Sequence, residues 1–237
     1  MPANIDFRGF LRYSSTSERL EFEGWMIAIV DYRAGNLTSV ARALQGLKVP
    51  CVITDRADEL RRAERVIFPG VGAAGEAMRN LRESGLDGCI REIARSGKPL
   101  LGICLGTQVI FDTSEEDDMT TCLGIIPGGV KRFPEGLKEK GDLLKIPHMG
   151  WNRVQFRGSH PLFAGIPANA EFYFVHSYYP APANGSDILG ETEYGIRFAS
   201  AVSRGSLVAV QFHPEKSGRF GLRILENFSR WDGSHAQ

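Results

Sequence analysis

The chain has 237 residues, 43% of them hydrophobic, enough to bury one sizeable core without division. Lys plus Arg equals Asp plus Glu at 28 each, so no global field draws the chain to nucleic acid or to an anionic membrane, which favours a small-molecule enzyme or a specific protein partner. The widely spaced Cys51, Cys89, Cys104 and Cys122 suit a reducing compartment; no run approaches the roughly 18 apolar residues of a membrane span and no apolar secretion core stands at the start, so a soluble, cytoplasmic protein is expected.

Residues 1–24 are polar, mixed in charge and without periodicity, and predict a disordered N-terminal extension ahead of a single folded domain over 25–237. Trp25-Met26-Ile27-Ala28-Ile29-Val30-Asp31 reads as a buried first strand. After the polar turn Asp31-Tyr32-Arg33-Ala34-Gly35-Asn36, Leu37, Val40, Ala41, Leu44 and Leu47 recur at helical spacing. Cys51-Val52-Ile53 and Val66-Ile67-Phe68 supply two more short strands, the second ended by Pro69-Gly70-Val71-Gly72. Two amphipathic stretches between Glu76 and Arg95, split at Ser84-Gly85, come before an apolar run that ends at Cys104. Strands alternating with helices imply an α/β fold whose mostly parallel sheet carries ligands at the carboxyl ends of its strands.

The acidic run from Thr113 to Thr121 lacks both a core pattern and the glycine and terminal glutamate of an EF-hand, so it reads as a solvated loop without chemistry. From Ile125 the pattern turns to short runs punctuated by Pro and Gly, among them Asn152 to Phe156 and Glu171 to Val175, which predict an antiparallel β insertion beside the parallel sheet. A last helix is expected from Gly218 through Trp231, with Phe220, Ile224, Leu225 and Phe228 on one face.

The chemistry gathers at Pro99-Leu100-Leu101-Gly102-Ile103-Cys104-Leu105-Gly106-Thr107-Gln108. A free cysteine is usually a small buried hydrophobe. Here a glycine stands two residues to either side, where a sharp strand-to-helix turn has no room for a Cβ, and the pattern is that of a nucleophile elbow. Such a turn sets the sulfur at the N-terminus of the following helix, whose partial positive charge favours thiolate. A base is supplied near the other end, where Leu207 to Phe212 runs into His213-Pro214-Glu215. In extended backbone residues two apart face one way, so His213 and Glu215 form a base and its orienter. Gly70-Val71-Gly72 falls on the same rim and reads as an oxyanion nest. No Cys-x-x-Cys or His-x-x-x-His spacing supports zinc at Cys104, His213 and Glu215, so no metal is expected.

Gly102 to Gln108 together with Gln211-Phe212-His213-Pro214-Glu215 resembles the triad (class I) glutamine amidotransferases. Phe68 to Ala74, Pro147-His148-Met149-Gly150-Trp151-Asn152 and Phe172 to Tyr179 are similar to the branch of that family that serves histidine biosynthesis, and the likeness runs from Met26 to the end. The resemblance implies a class I amidotransferase fold, with a mostly parallel central sheet flanked by helices and an antiparallel insertion. It also implies a glutaminase that forms a cysteine thioester and passes ammonia to a separate (β/α)8-barrel cyclase in a heterodimer. That cyclase makes imidazole glycerol phosphate and aminoimidazole carboxamide ribotide.

Carried onto this sequence, the resemblance makes Cys104 the nucleophile, His213 the proton carrier and Glu215 its orienter, with Gly70, Val71 and Leu105 at the oxyanion. It gives Gly72, Gly106, Gln108, His176, Ser177 and Tyr178 to bound glutamine. Ala34, Gly35, Asn36, Met149, Trp151 and Asn152 are turned toward the cyclase. No cofactor, nucleic acid or membrane is implied. Two other readings stay open: a glutaminase subunit serving pyridoxal phosphate or anthranilate synthesis, and a catalytically silent subunit that regulates its partner.

Overall fold

The computed structural model describes residues 11–13 and 27–234. In chain order, the first half comprises β1 (Leu11–Tyr13), β2 (Ile27–Val30), α1 (Leu37–Gly46), β3 (Cys51–Thr54), α2 (Ala57–Arg62), β4 (Arg65–Gly70), α3 (Ala74–Glu83), α4 (Leu86–Arg95), β5 (Leu100–Cys104) and α5 (Leu105–Gln108). Ten short strands follow: β6 (Thr113–Ser114), β7 (Thr120–Thr121), β8 (Gly128–Arg132), β9 (Lys138–Glu139), β10 (Asp142–Leu143), β11 (His148–Arg153), β12 (Gln155–Phe156), β13 (Glu171–His176), β14 (Tyr178–Pro182) and β15 (Ile188–Tyr194). The chain returns through β16 (Ile196–Arg204) and β17 (Leu207–Val210) to α6 (Gly218–Arg230).

Among the described residues the main sheet has nine strands in the order β1-β3-β2-β4-β5-β17-β16-β15-β12. From β1 to β17 the pairings are parallel, and β16, β15 and β12 extend the sheet antiparallel. The central strands are apolar throughout because both faces are covered, and their side chains alternate between two cores. Ala28, Val30, Val66, Phe68 and Leu100 pack with α3 and α4, whereas Ile27, Ile29, Ile67, Leu101 and Ile103 pack with α1 and α6. Each such Val, Leu or Ile taken from water stabilises the fold by roughly 1.5 to 3 kcal/mol. Gly85 at φ 70° lets the chain leave α3 and enter α4 without a linker, which accounts for the split expected at Ser84-Gly85.

The insertion is less uniform than the sequence pattern suggests. β14, β8, β6 and β7 form a separate four-stranded sheet, and β11 pairs with β13 in an antiparallel ribbon. The strand expected over Asn152 to Phe156 is instead two pieces, His148–Arg153 and Gln155–Phe156, which join different sheets.

The expected extension over residues 1–24 lies outside the described residues except at one place. Leu11–Tyr13 pairs in parallel with Cys51 to Ile53 on the edge of the main sheet. The sequence offered no strand there, because three residues of backbone pairing need no alternating pattern. Among the described residues no helix is long and apolar enough to cross a membrane.

Candidate active site

Three neighbouring strands, β4, β5 and β17, bring the site together at their carboxyl ends. Cys104 closes β5 with φ 54° and ψ −108°, a strained conformation for a residue with a side chain and the mark of an elbow. The flanking glycines are required by contact. A Cβ on Gly106 would lie 1.8 Å from the Phe68 carbonyl oxygen, and one on Gly102 would lie 2.8 Å from the Ala209 Cβ. Thr107 ties the turn to β17 by donating from Oγ1 to the Val210 carbonyl at 2.6 Å. The helix after the elbow is a single turn, Leu105–Gln108, so its dipole is small.

His213 follows β17 and is held from both sides: its N–H donates to the Tyr173 carbonyl at 2.9 Å and its carbonyl accepts from Ser217 Oγ at 2.6 Å. Its Nδ1 meets Glu215 Oε1 at 2.7 Å, and both side chains are fully buried. The pair does not form through extended backbone as expected, because Pro214–Lys216 is a 3-10 turn that curls the carboxylate back beneath the ring. Burial alone would lower the imidazole's proton affinity, but the Cys104 sulfur and Glu215 outweigh it and raise the pKa to about 10. Glu215 Oε1 also accepts from Asn36 Nδ2 at 2.6 Å. Asn36, expected on the partner face, therefore turns its amide inward as a third member of the charge-holding group.

A cavity of about 310 Å³ opens above the sulfur, lined by Val71, Gly72, Cys104, Leu105, Gln108, Glu116, Pro147, Val175, His176, Ser177 and Tyr178. That volume suits one small ligand. The sequence-predicted oxyanion and substrate residues thus meet in one place, except that Gly106 does not line the cavity and Gly70 sits behind Val71 in register with Cys104. Of the expected partner-facing residues, Met149 and Trp151 are 62% and 56% exposed, Gly35 is exposed, and Ala34 and Asn152 are half-buried. A larger cavity of about 530 Å³, between β12 and Ala168, shares no lining residue with the site.

The class-I glutamine amidotransferase family model matches residues 28–230. The subunit HisH of imidazole glycerol phosphate synthase from Methylococcus capsulatus is 52% identical over 210 residues, spanning 87% of this chain and 96% of the relative. The corresponding subunit from Pseudomonas syringae is 48% identical over 208 residues, spanning 87% and 98%. The chain belongs to the class-I glutamine amidotransferases, in the HisH family. Solved structures share the fold at lower identity: a glutamine amidotransferase with TM-score 0.67 and 18% identity covers 87% of this chain and 99% of its own. Another glutamine amidotransferase, from Thermotoga maritima, has TM-score 0.59 and 17% identity, covering 88% and 84%.

The structure places three further residues in this amidotransferase site. Glu116, in the acidic run first read as a solvated loop, lines the cavity and accepts from the Ala74 N–H at 2.8 Å, with burial raising its pKa. Fully buried Gln211 donates from Nε2 to the Cys104 sulfur at 3.8 Å and accepts from Gln108 Nε2 at 3.1 Å. Its presence in the Gln211 to Glu215 stretch was the available signal. Tyr32 puts its hydroxyl against Gly70, where a Cβ would lie 1.9 Å from it, and that hydroxyl has no hydrogen-bond partner among the described residues. Burial and the nearby Cys104 sulfur push the phenol's pKa upward.

Proposed function

We propose that this amidotransferase is the glutaminase subunit of an imidazole glycerol phosphate synthase, supplying ammonia to a (β/α)8-barrel cyclase in a heterodimer. The observation that carries the reading is the assembled group of Cys104, His213, Glu215 and Asn36 beneath a glutamine-sized cavity, in a chain about half identical to HisH relatives over nearly their whole length.

In this reading the Cys104 sulfur attacks the glutamine γ-carboxamide carbon and the C–N bond breaks, with His213 delivering the thiol proton to the departing ammonia. Water then cleaves the thioester to glutamate and returns the proton to sulfur, while Glu215 steadies the imidazolium. Backbone N–H groups of Val71 and Leu105 meet the developing oxyanion, each such donor typically worth roughly 3 to 4 kcal/mol of barrier. Gln108, Ser177 and Tyr178 hold the glutamine, with Gly72 and His176 lining its pocket, and the Glu116 carboxylate faces its α-ammonium. Exposed Met149 and Trp151 fit the role of anchors for the cyclase. The four buried free cysteines fit a cytoplasmic enzyme. Nothing in the reaction calls for a cofactor, nucleic acid or membrane.

The test is co-expression with the cyclase, copurification, and an assay of glutamine-dependent formation of imidazole glycerol phosphate. Glutamate and product appearing in equal amounts support the reading. Glutamine hydrolysis without transfer to that cyclase, but with transfer to the synthase of anthranilate or pyridoxal phosphate, overturns it. Absence of hydrolysis in the copurified complex points to a silent regulatory chain.

A further inference from the structure

The ribbon of β11 and β13 carries a hydrogen-bond chain whose direction is fixed at every link. Asn152 is oriented by its neighbours: Oδ1 accepts from the Arg153 N–H at 2.8 Å and Nδ2 donates to the Glu193 carbonyl at 2.9 Å. The second proton of that amide nitrogen faces His148 Nε2 at 3.2 Å. At the other end His176 Nδ1 lies 2.7 Å from the Tyr178 carbonyl oxygen, which can only accept, so Nδ1 carries the proton. The contact between, His148 Nδ1 to His176 Nε2 at 3.0 Å, must then be donated by His148. Burial lowers the pKa of His148 to about 4; burial and the neighbouring His148 lower that of His176 to about 3, so each ring is neutral and has one donor and one acceptor nitrogen.

The chain does not stop at β13. The Tyr178 carbonyl that receives the His176 proton also accepts from Gln108 Nε2 at 3.0 Å, and the other proton of that amide goes to Gln211 Oε1 at 3.1 Å. Gln211 Nε2 in turn points at the Cys104 sulfur at 3.8 Å. We propose that His148 and His176 are positioning residues, a one-way relay that fixes the Tyr178 carbonyl as the point from which Gln108 and Gln211 are aimed at the substrate and at the sulfur of Cys104.

This proposal rests on the glutamine pocket assigned above. The relay works through a lone proton on each ring, whereas a structural role would work through ring packing, and His148 allows the two to be separated. Its ring stacks on Phe174 at 4.9 Å and on Tyr194 at 4.0 Å. His148→Phe keeps a ring in that place and removes the donor. His148→Asn loses the ring but puts an amide N–H near the position of Nδ1.

Both variants are made in the full chain, bound to its cyclase partner, and assayed for glutamine hydrolysis. The relay predicts that kcat/KM falls about tenfold or more in His148→Phe, the worth of one well-placed hydrogen bond, and that His148→Asn recovers most of it. Equal activity of His148→Phe and wild type, or the reverse ranking of the two variants, overturns the proposal. Imidazole nitrogen-15 NMR of the wild-type protein gives a second reading that needs neither variant to fold nor any activity. Both His148 and His176 should be neutral with the proton on Nδ1, and an Nε2–H form at either one overturns the relay. Failure of the wild-type complex to hydrolyse glutamine would instead count against the functional assignment.

Discussion

Asn36 and Glu215 are 179 positions apart in the chain, and the amide of the first donates to the carboxylate of the second at 2.6 Å. The turn after β2 therefore reaches under the His213 imidazole and fixes the carboxylate that meets its Nδ1. A hydrogen bond to a charged acceptor is worth about 1.5 to 3 kcal/mol, so Asn36→Ala should lower kcat for glutamine hydrolysis roughly 10- to 100-fold with little change in KM. Steady-state kinetics with the partner present checks this, and an unchanged kcat removes Asn36 from the machinery.

Cys104→Ser should preserve the fold, because the two side chains are close in size, and should retain glutamine binding. Hydrolysis should fall by at least about a hundredfold, since an alcohol is a far weaker acid than a thiol and the base is matched to sulfur. Isothermal titration with glutamine and an ammonia assay separate the two effects. Near-normal ammonia release from the folded variant would exclude Cys104 as nucleophile.

Acid should weaken the fold before the carboxylates titrate. His148 and His176 take up protons near 6.5 in the unfolded chain but only near 4 and 3 when folded. Between those values the unfolded state binds more protons, so the contribution of these two rings is complete above pH 6.5 and is lost as pH falls, at up to about 1.4 kcal/mol per pH unit for each ring. Urea denaturation at pH 7, 6 and 5 would show the slope. A midpoint that does not move over that range means the rings are not held neutral. His213 is shifted the other way, so its contribution is present below pH 6.5 and is lost as pH rises toward 10.

Tyr32→Phe should leave stability unchanged or raise it. The ring contact with Phe68, at 5.1 Å between centroids, is kept, and the variant removes a buried hydroxyl without a partner among the described residues. Such a group costs about 1 to 3 kcal/mol, and each kcal/mol moves Tm by about 2 to 4 °C in a domain of this size. A melting curve decides, and a fall of more than about 4 °C shows that the hydroxyl is bonded after all.

Residues 1–24 are proposed to be dispensable. Their described link to the domain is the pairing of Leu11–Tyr13 with β3. Deleting them should leave glutamine hydrolysis intact and move Tm by less than about 5 °C, roughly 2 kcal/mol at most. A larger fall makes the segment part of the folded unit.

What could be read from the sequence follows from how local its cause is. The elbow was legible because Gly102 and Gly106 each record a single close contact, with Ala209 and with the Phe68 carbonyl. The helix Leu37–Gly46 was legible because Leu37, Val40, Ala41 and Leu44 return to the same buried face. α2 left no such trace, since its six residues bury only Glu59 and Leu60. Asn36 and Glu116 were not assigned their roles because neither contact is local: one spans 179 positions, and the other docks a loop onto the N-terminus of α3, 42 positions away. The relay histidines sit in recognisable motifs, but the register that sets His148 opposite His176 exists only once β11 and β13 have paired.

Gly70 pairs with Cys104 across two parallel strands. Adjacent strands lie about 4.8 Å apart wherever a ladder forms, a spacing set by the peptide hydrogen bond and not by any side chain. The gap between the Cys104 backbone and the strand that leads to the Val71 N–H is thus a ruler length of the main chain. Side-chain substitutions in α1, α3, α4 or α6 can loosen the cores on either face without rescaling that gap. Substitutions can therefore accumulate on the outer surface while that strand-to-strand distance stays fixed.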